Sequence, residues 1–257
     1  MIDSQNKLVN YYRQHSKHSN YQVLPNSLKK ILGAHNLNTK SRFERERLLF
    51  LTKNINFKQK RVLDIGGNTG FFSFELLEQG AEEVCYYEGN KSHSEFVRLA
   101  SRVLKVENKL KVVGEYFNFS NTFSEHFDVT LLFNVLHHTG DDYGEWVPSI
   151  NAVKTTITKE LNPLAKNTKY LVFQMGYNWM GDTEKPIFMH GQKQEMINFI
   201  KGGVDNCWEI ESIGIAQEEN EKIVYKNLNQ DNIRRVDRLG EFLNRPIFIL
   251  KSLKYDE

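Results

Sequence analysis

One stretch constrains this chain more than any other: Val62-Leu63-Asp64-Ile65-Gly66-Gly67-Asn68-Thr69-Gly70-Phe71. Its apolar start suits a buried parallel strand. Its three glycines allow positive φ and let a ligand approach the backbone closely. Phe71 to Gln79 then reads as a helix stopped by Gly80. Further strands are expected at 84–87, 110–113, 127–133 and 170–174, with helices at 92–104 and about 143–160 between them. Pro148 is tolerated only in or near the first turn of the last helix. Strands are also expected at 208–215, 223–225 and 246–250. Such alternation predicts an α/β fold with a doubly wound, mostly parallel sheet, which binds ligands at the carboxyl ends of its strands.

The loop narrows the ligand. A dinucleotide site needs G-x-G-x-x-G, whereas these glycines fall at 66, 67 and 70. No Lys-Ser/Thr pair follows Gly70, so the loop is not a P-loop. Asp64 would repel a pyrophosphate and suits a ligand that carries an amino group. Glu88 ends the second strand, 18 residues beyond Gly70. A carboxylate there can accept hydrogen bonds from a ribose diol.

These residues resemble motif I of the class I S-adenosylmethionine-dependent methyltransferases, usually D-x-G-x-G-x-G, with Asn68 at the middle glycine. The resemblance covers about Arg61 to Gln174. It implies a Rossmann-like, seven-stranded sheet, parallel except for the last strand of the chain. It also implies S-adenosyl-L-methionine as cofactor, released as S-adenosyl-L-homocysteine. Asp64, Gly66, Gly67, Asn68, Gly70 and Phe71 would hold its methionine end, and Glu88 with Gly89 its ribose. Near the adenine would lie Glu115 and Tyr116 or Phe117; one of these two aromatics can equally be core.

The stretch Phe127 to Gly140 is similar to the fourth-strand motif of many small-molecule methyltransferases, which puts Asn134 beside the methionine part of the cofactor. Methyl transfer needs nucleophile and methyl held close and collinear. An oxygen or nitrogen nucleophile must also lose a proton, which histidine accepts near neutral pH. His137 matches a position that carries a catalytic His in phosphobase methyltransferases, and His138 is the second candidate base. Tyr177, Asn178 and Trp179 follow the fifth strand, where a long loop would border the substrate. No His/Asp/Glu cluster has recognisable metal spacing, and no G-x-S-x-G elbow exists.

The formal charge of +2 hides a gradient. Residues 1–60 carry 12 Lys+Arg against three Asp+Glu, a net +9, and residues 61–257 a net −7. The expected organisation is a helical basic cap at 1–60, with Pro25 and Ser41 near helix starts, over a catalytic domain at 61–257. Arg42 in the cap would face a small anionic substrate. The whole-chain charge argues against nucleic-acid coating. No apolar run approaches the ~18 residues that span a bilayer, and the N-terminus lacks a secretory signal. Cys85 and Cys207 lack disulfide-framework or zinc spacing. A cytoplasmic enzyme is expected. The preferred acceptor is a hydroxyl of a nucleotide-linked sugar or other surface-polysaccharide precursor, in a bacterium with an AT-rich genome. Rival readings are a phosphobase N-methyltransferase, an RNA (tRNA) methyltransferase and a non-catalytic partner that kept the fold.

Overall fold

The computed structural model describes residues 2–14, 18–19, 21–33, 35, 37, 39–120, 124–204 and 206–255. It divides into two units, Met1–Phe117 and Asn118–Glu257.

The first unit begins with α1 (Ile2–Arg13), α2 (Asn26–Leu32) and α3 (Glu44–Asn54). It continues as β1 (Arg61–Ile65), α4 (Phe71–Glu78), β2 (Glu83–Tyr87), α5 (Lys91–Leu104) and β3 (Leu110–Val113). The strands lie in the order β3-β2-β1 and both pairings are parallel. In β1 every residue from Val62 to Ile65 is buried, as a strand covered on both faces requires. α5 packs its apolar stripe on α1, where the Tyr12 and Phe96 rings lie 5.7 Å apart. Ser41 stands two residues before the first-turn cap position of α3. Phe43 takes the N-cap position in the left-handed region, and Ser41 Oγ accepts the Phe43 N–H at 3.0 Å. Glu75 of α4 is 4% exposed and accepts both the backbone N–H (2.6 Å) and the side-chain amide (3.2 Å) of Asn26. A buried carboxylate thus fixes the start of α2 onto α4.

The second unit contains β4 (Phe127–Phe133), a single 3-10 turn at Leu136–His138, α6 (Ile150–Leu161) and β5 (Thr168–Gln174). Then come α7 (Lys193–Val204), β6 (Trp208–Glu219), β7 (Lys222–Asn227), α8 (Gly240–Leu243) and β8 (Ile247–Ser252). Its strand order is β4-β5-β8-β6-β7. β4 and β5 are parallel and share a buried Thr130–Thr168 hydroxyl hydrogen bond of 2.8 Å. β8 is antiparallel to both β5 and β6, and β7 is antiparallel to β6.

Two expectations change here. The described residues hold eight strands rather than seven, and two of them, β7 and β8, run against β5. The addition is β7, joined to β6 by Asn220 and Glu221, both at positive φ (49° and 63°). Two consecutive left-handed residues make the tight turn whose twist matches a hairpin. The helix expected from Tyr143 begins only at Ile150, where Ser149 caps it by accepting the Ala152 N–H at 3.2 Å. Gly140 and Gly144 both take positive φ, and Pro148 disfavours helix in the residue before it, so 140–148 folds as a turn followed by irregular backbone.

Replacing Glu75 by Ala strands the Asn26 donors. Urea unfolding should show a loss of about 1–3 kcal/mol, read as a lower midpoint at unchanged slope.

Candidate functional site

In the first unit the glycine loop is fastened to the end of β2. The N–H groups of Gly66 and Gly67 both donate to the Tyr87 carbonyl, at 2.9 and 3.2 Å. Gly67 is needed for space: a Cβ there would sit 2.5 Å from the Tyr86 ring and 2.9 Å from Asp64 Oδ2. Asn68 stands at φ 51°, in the left-handed region. Asparagine enters that region more readily than most residues, which explains why it can replace a glycine. Gly70, at φ 79°, takes the N-cap position of α4.

Asp64 lies at the floor of this loop, 2% exposed, with Oδ2 accepting the Ser73 hydroxyl at 2.6 Å. Burial pushes its carboxyl up to about 6, although the Ser73 hydrogen bond pulls the other way. Such a group ionises at neutral pH and gains from a cation placed beside it. Glu88 binds two backbone donors, Asn68 N–H through Oε2 (2.9 Å) and Asn90 N–H through Oε1 (2.8 Å). A carboxylate can accept several hydrogen bonds, and this one bridges two loops.

Past β3 the two aromatic candidates separate. Phe117 packs edge-on against Tyr87, with centroids 5.0 Å apart. Tyr116 is 54% exposed, and a Cβ on Gly89 would come within 2.3 Å of its ring. Glu115 is exposed. Phe71 is fully buried, against Phe72 at 5.2 Å. Arg42 stacks its guanidinium 4.7 Å from the Tyr21 ring centroid.

Sequence reading missed Gln22. Its Oε1 accepts both the Phe71 N–H (3.1 Å) and the Thr69 hydroxyl (3.3 Å), so it satisfies the N-terminus of α4. Asn68 Nδ2 donates to the His18 carbonyl at 3.0 Å. The N-terminal segment is thereby tied to the glycine loop from two sides. A lone glutamine in a polar stretch carries no pattern that marks such a role.

In the second unit, β4 delivers Asn134 at φ 59°. Its backbone N–H donates to the Gln174 carbonyl (2.7 Å) and its Nδ2 to Gln174 Oε1 (3.1 Å). Arg245 Nη1 donates to Asn134 Oδ1 at 2.7 Å. Arg245 is in turn gripped by Glu241, with Nη2–Oε2 at 2.6 Å and Nε–Oε1 at 3.0 Å. The guanidinium, with a smaller contribution from the Tyr177 N–H, holds the Glu241 carboxyl below its ordinary range despite burial. Arg245 and Glu241 lie just before β8, over one hundred residues from Asn134, and no local motif announces them.

His137 is 2% exposed and sits in the 3-10 turn after β4. Gly176, past β5, makes room for it: a Cβ there would lie 2.7 Å from the imidazole and 3.1 Å from Arg245 Nη2. The His137 and His138 rings are 4.3 Å apart. His138 Nδ1 lies 3.2 Å from Asp142 Oδ2 and 3.6 Å from Asp141 Oδ2. Carboxylates so placed orient an imidazole.

The loop after β5 is turned inward. Tyr177 is 2% exposed and its hydroxyl donates to the Asn244 carbonyl at 2.7 Å. Trp179 is 7% exposed and its Nε1 donates to the Thr139 carbonyl at 2.8 Å. Asn178 alone of the three is partly exposed. Trp179 thus braces the histidine turn, as does Tyr143, whose hydroxyl bonds Leu136 O (3.3 Å) and Glu160 Oε2 (2.8 Å). Burial lifts Glu160 to about 7.

No family model matches this chain and no curated protein does. Solved structures do. The bifunctional kinase–methyltransferase WbdD superposes over 96% of this chain with a TM-score of 0.55 at 12% identity. A second WbdD structure gives 0.57 at 14% identity over the same share. The chain spans under half of those WbdD chains, 46% and 41%. The candidate RNA methyltransferase PH1948 of Pyrococcus horikoshii overlaps 82% of this chain and 83% of its own, at 15% identity and a TM-score of 0.45. No helix among the described residues is long and apolar enough to cross a membrane. With its glycine loop, its acid after β2 and its reversed last strand, the chain has the fold of the class I S-adenosylmethionine-dependent methyltransferases.

Proposed function

We propose that this chain is an S-adenosylmethionine-dependent methyltransferase that acts on a hydroxyl of a small anionic metabolite, a nucleotide-linked sugar or related polysaccharide precursor. The observation that carries the reading is a buried Asp64 beneath a glycine loop, with Glu88 bonded to that loop. The donor set fits the cofactor. Asp64 is an anion short of a cation and suits its ammonium, Glu88 suits its ribose hydroxyls, and the exposed face of Tyr116 over bare Gly89 suits its purine. When bound, the cofactor supplies an electrophilic methyl group on a sulfonium.

In this reading residues 61–257 form the catalytic domain and residues 1–60 a basic cap that draws in the anionic acceptor. The net +9 of that segment supports it. His137 takes the acceptor's proton as the new bond forms. His138, held by Asp142 and Asp141, maintains the field beside it. Asn134, locked by Arg245 and Gln174, keeps the carboxyl end of β4 rigid. The enzyme acts in the cytoplasm, where Cys85 and Cys207 stay as free thiols.

Labelled cofactor, offered with nucleotide sugars, phospho-amines and bulk tRNA, tests the acceptor. Label should enter the sugars; label confined to RNA or to the amines would sink this choice of acceptor. His137→Ala should cut turnover by roughly 10²–10⁴-fold with cofactor affinity little changed.

Asp64 adds a pH signature. Its folded pKa of about 6 exceeds its ordinary 3.8, so the folded state binds the extra proton and burial of the charge costs stability as pH rises from about 4 to 6. The cofactor's ammonium prefers the ionised form. Calorimetry should show affinity climbing as pH rises towards 6 and levelling above it. Asp64→Asn should weaken binding and flatten the profile. Absence of cofactor binding at every pH would remove the enzyme reading altogether.

A further inference from the structure

Trp146 is 70% exposed, whereas Trp179 and Trp208 are 7% and 2% exposed. It lies in the irregular stretch between the histidine turn and α6. Gly140 folds that stretch back. It takes φ +79°, donates its N–H to the Tyr143 carbonyl at 2.8 Å, and would put a Cβ 3.2 Å from Trp146 Cα and 3.3 Å from the Glu145 carbonyl oxygen. Gly144, at φ +70°, lies against the Thr139 hydroxyl, to which a Cβ would come within 3.3 Å. The backbone of Trp146 therefore packs on a residue only two positions past His138.

The loop that carries the indole is one-sided in charge. Residues 141–147 hold Asp141, Asp142 and Glu145 and no Lys or Arg. Asp142 and Asp141 already face His138 Nδ1. Three carboxylates repel a phosphate and accept hydrogen bonds from hydroxyls. The indole gives a broad flat apolar face, and leaving one in water forgoes the burial that favours aromatic side chains. A ligand that matches both is a neutral ring with an apolar face and a hydroxylated rim. A quaternary ammonium is favoured by a cage of several rings. Here the other ring of the same loop, Tyr143, is buried.

We propose that Trp146 is the platform for a neutral pyranose ring of the acceptor. The C–H face of the sugar stacks on the indole, and its hydroxyls donate to Glu145 and Asp141. The proposal rests on the methyltransferase reading for its role in catalysis, and it sharpens the acceptor. The methylated part is an uncharged sugar, and any phosphate lies away from this loop.

The chain labelled with ¹⁵N should give three tryptophan indole N–H signals, and Trp146→Phe assigns one of them. The probes are methyl α-D-glucopyranoside, methyl α-D-mannopyranoside and methyl N-acetyl-glucosaminide, with choline and inorganic phosphate as comparators. At least one glycoside should shift the Trp146 signal saturably while the Trp179 and Trp208 signals stay still. Trp146→Ala, at an exposed position, should keep the melting temperature and weaken glycoside binding by roughly tenfold or more, in keeping with loss of an aromatic stacking face. Gly140→Ala keeps the indole but displaces its backbone, and should weaken binding as well. A response to choline or phosphate in place of glycosides, no saturable glycoside shift, or unchanged binding by Trp146→Ala would each overturn the platform. Cofactor calorimetry on the same samples keeps the two proposals apart. Intact cofactor binding without glycoside binding sinks the platform alone. Glycoside binding without cofactor binding sinks the methyltransferase reading and leaves a sugar site.

Discussion

The missing side chain of Gly67 is the constraint on which the first unit turns. Because no Cβ stands there, the Tyr86 ring and the Asp64 carboxylate can both press against the loop backbone. That closeness lets the Tyr86 hydroxyl reach the Asn68 carbonyl and lets the Tyr87 carbonyl take two loop N–H groups. Asn68, so held, offers its own N–H to Glu88. The loop and the acid after β2 are one hydrogen-bonded assembly, and the buried acid, bonded to Ser73, lies against it. Its rigidity comes from backbone groups, which depend on shape more than on which polar residues surround them.

Much of this was legible in the sequence because it is local. The glycines at 66, 67 and 70 and the acids at 64 and 88 sit at strand ends, where periodicity breaks sharply. All eight strands were also expected from the sequence. Seven came from the family likeness, which has no place for β7. Less legible were features set by distant partners. Tyr177 and Trp179 look like surface aromatics in a polar loop, yet Asn244 and Thr139 offer them carbonyls, and a satisfied hydroxyl or indole N–H can be buried at little cost. Arg245 meets Asn134 only after the chain has run through β5 to α8. The helix start at Tyr143 failed for a different reason. A helix was expected there, but two glycines in left-handed backbone and a proline outweighed it.

The second unit shows how buried charge is kept affordable. Arg245 is 13% exposed at its side chain, and its guanidinium is shared between Glu241 and Asn134 Oδ1. Lys193, 1% exposed, donates to the carbonyls of Asn232 and Arg234 at 3.0 and 2.9 Å, and burial brings its pKa down to about 8. Both cations are spent on fixing loops that follow strands. Breaking either leaves acceptors stranded in the interior.

The β6–β7 hairpin has a consequence for how the molecule behaves in company. A sheet margin of bare N–H and C=O groups invites another chain to add to it. β7 carries exposed Lys222 and Lys226 on that margin, with Lys226 paired to Glu219 across the hairpin. A second copy that tried to extend the sheet there would have to bring lysine against lysine. The extra strand can therefore be understood as a terminator, which closes the second unit's sheet with charge and protects a concentrated solution of the protein from edge-to-edge aggregation.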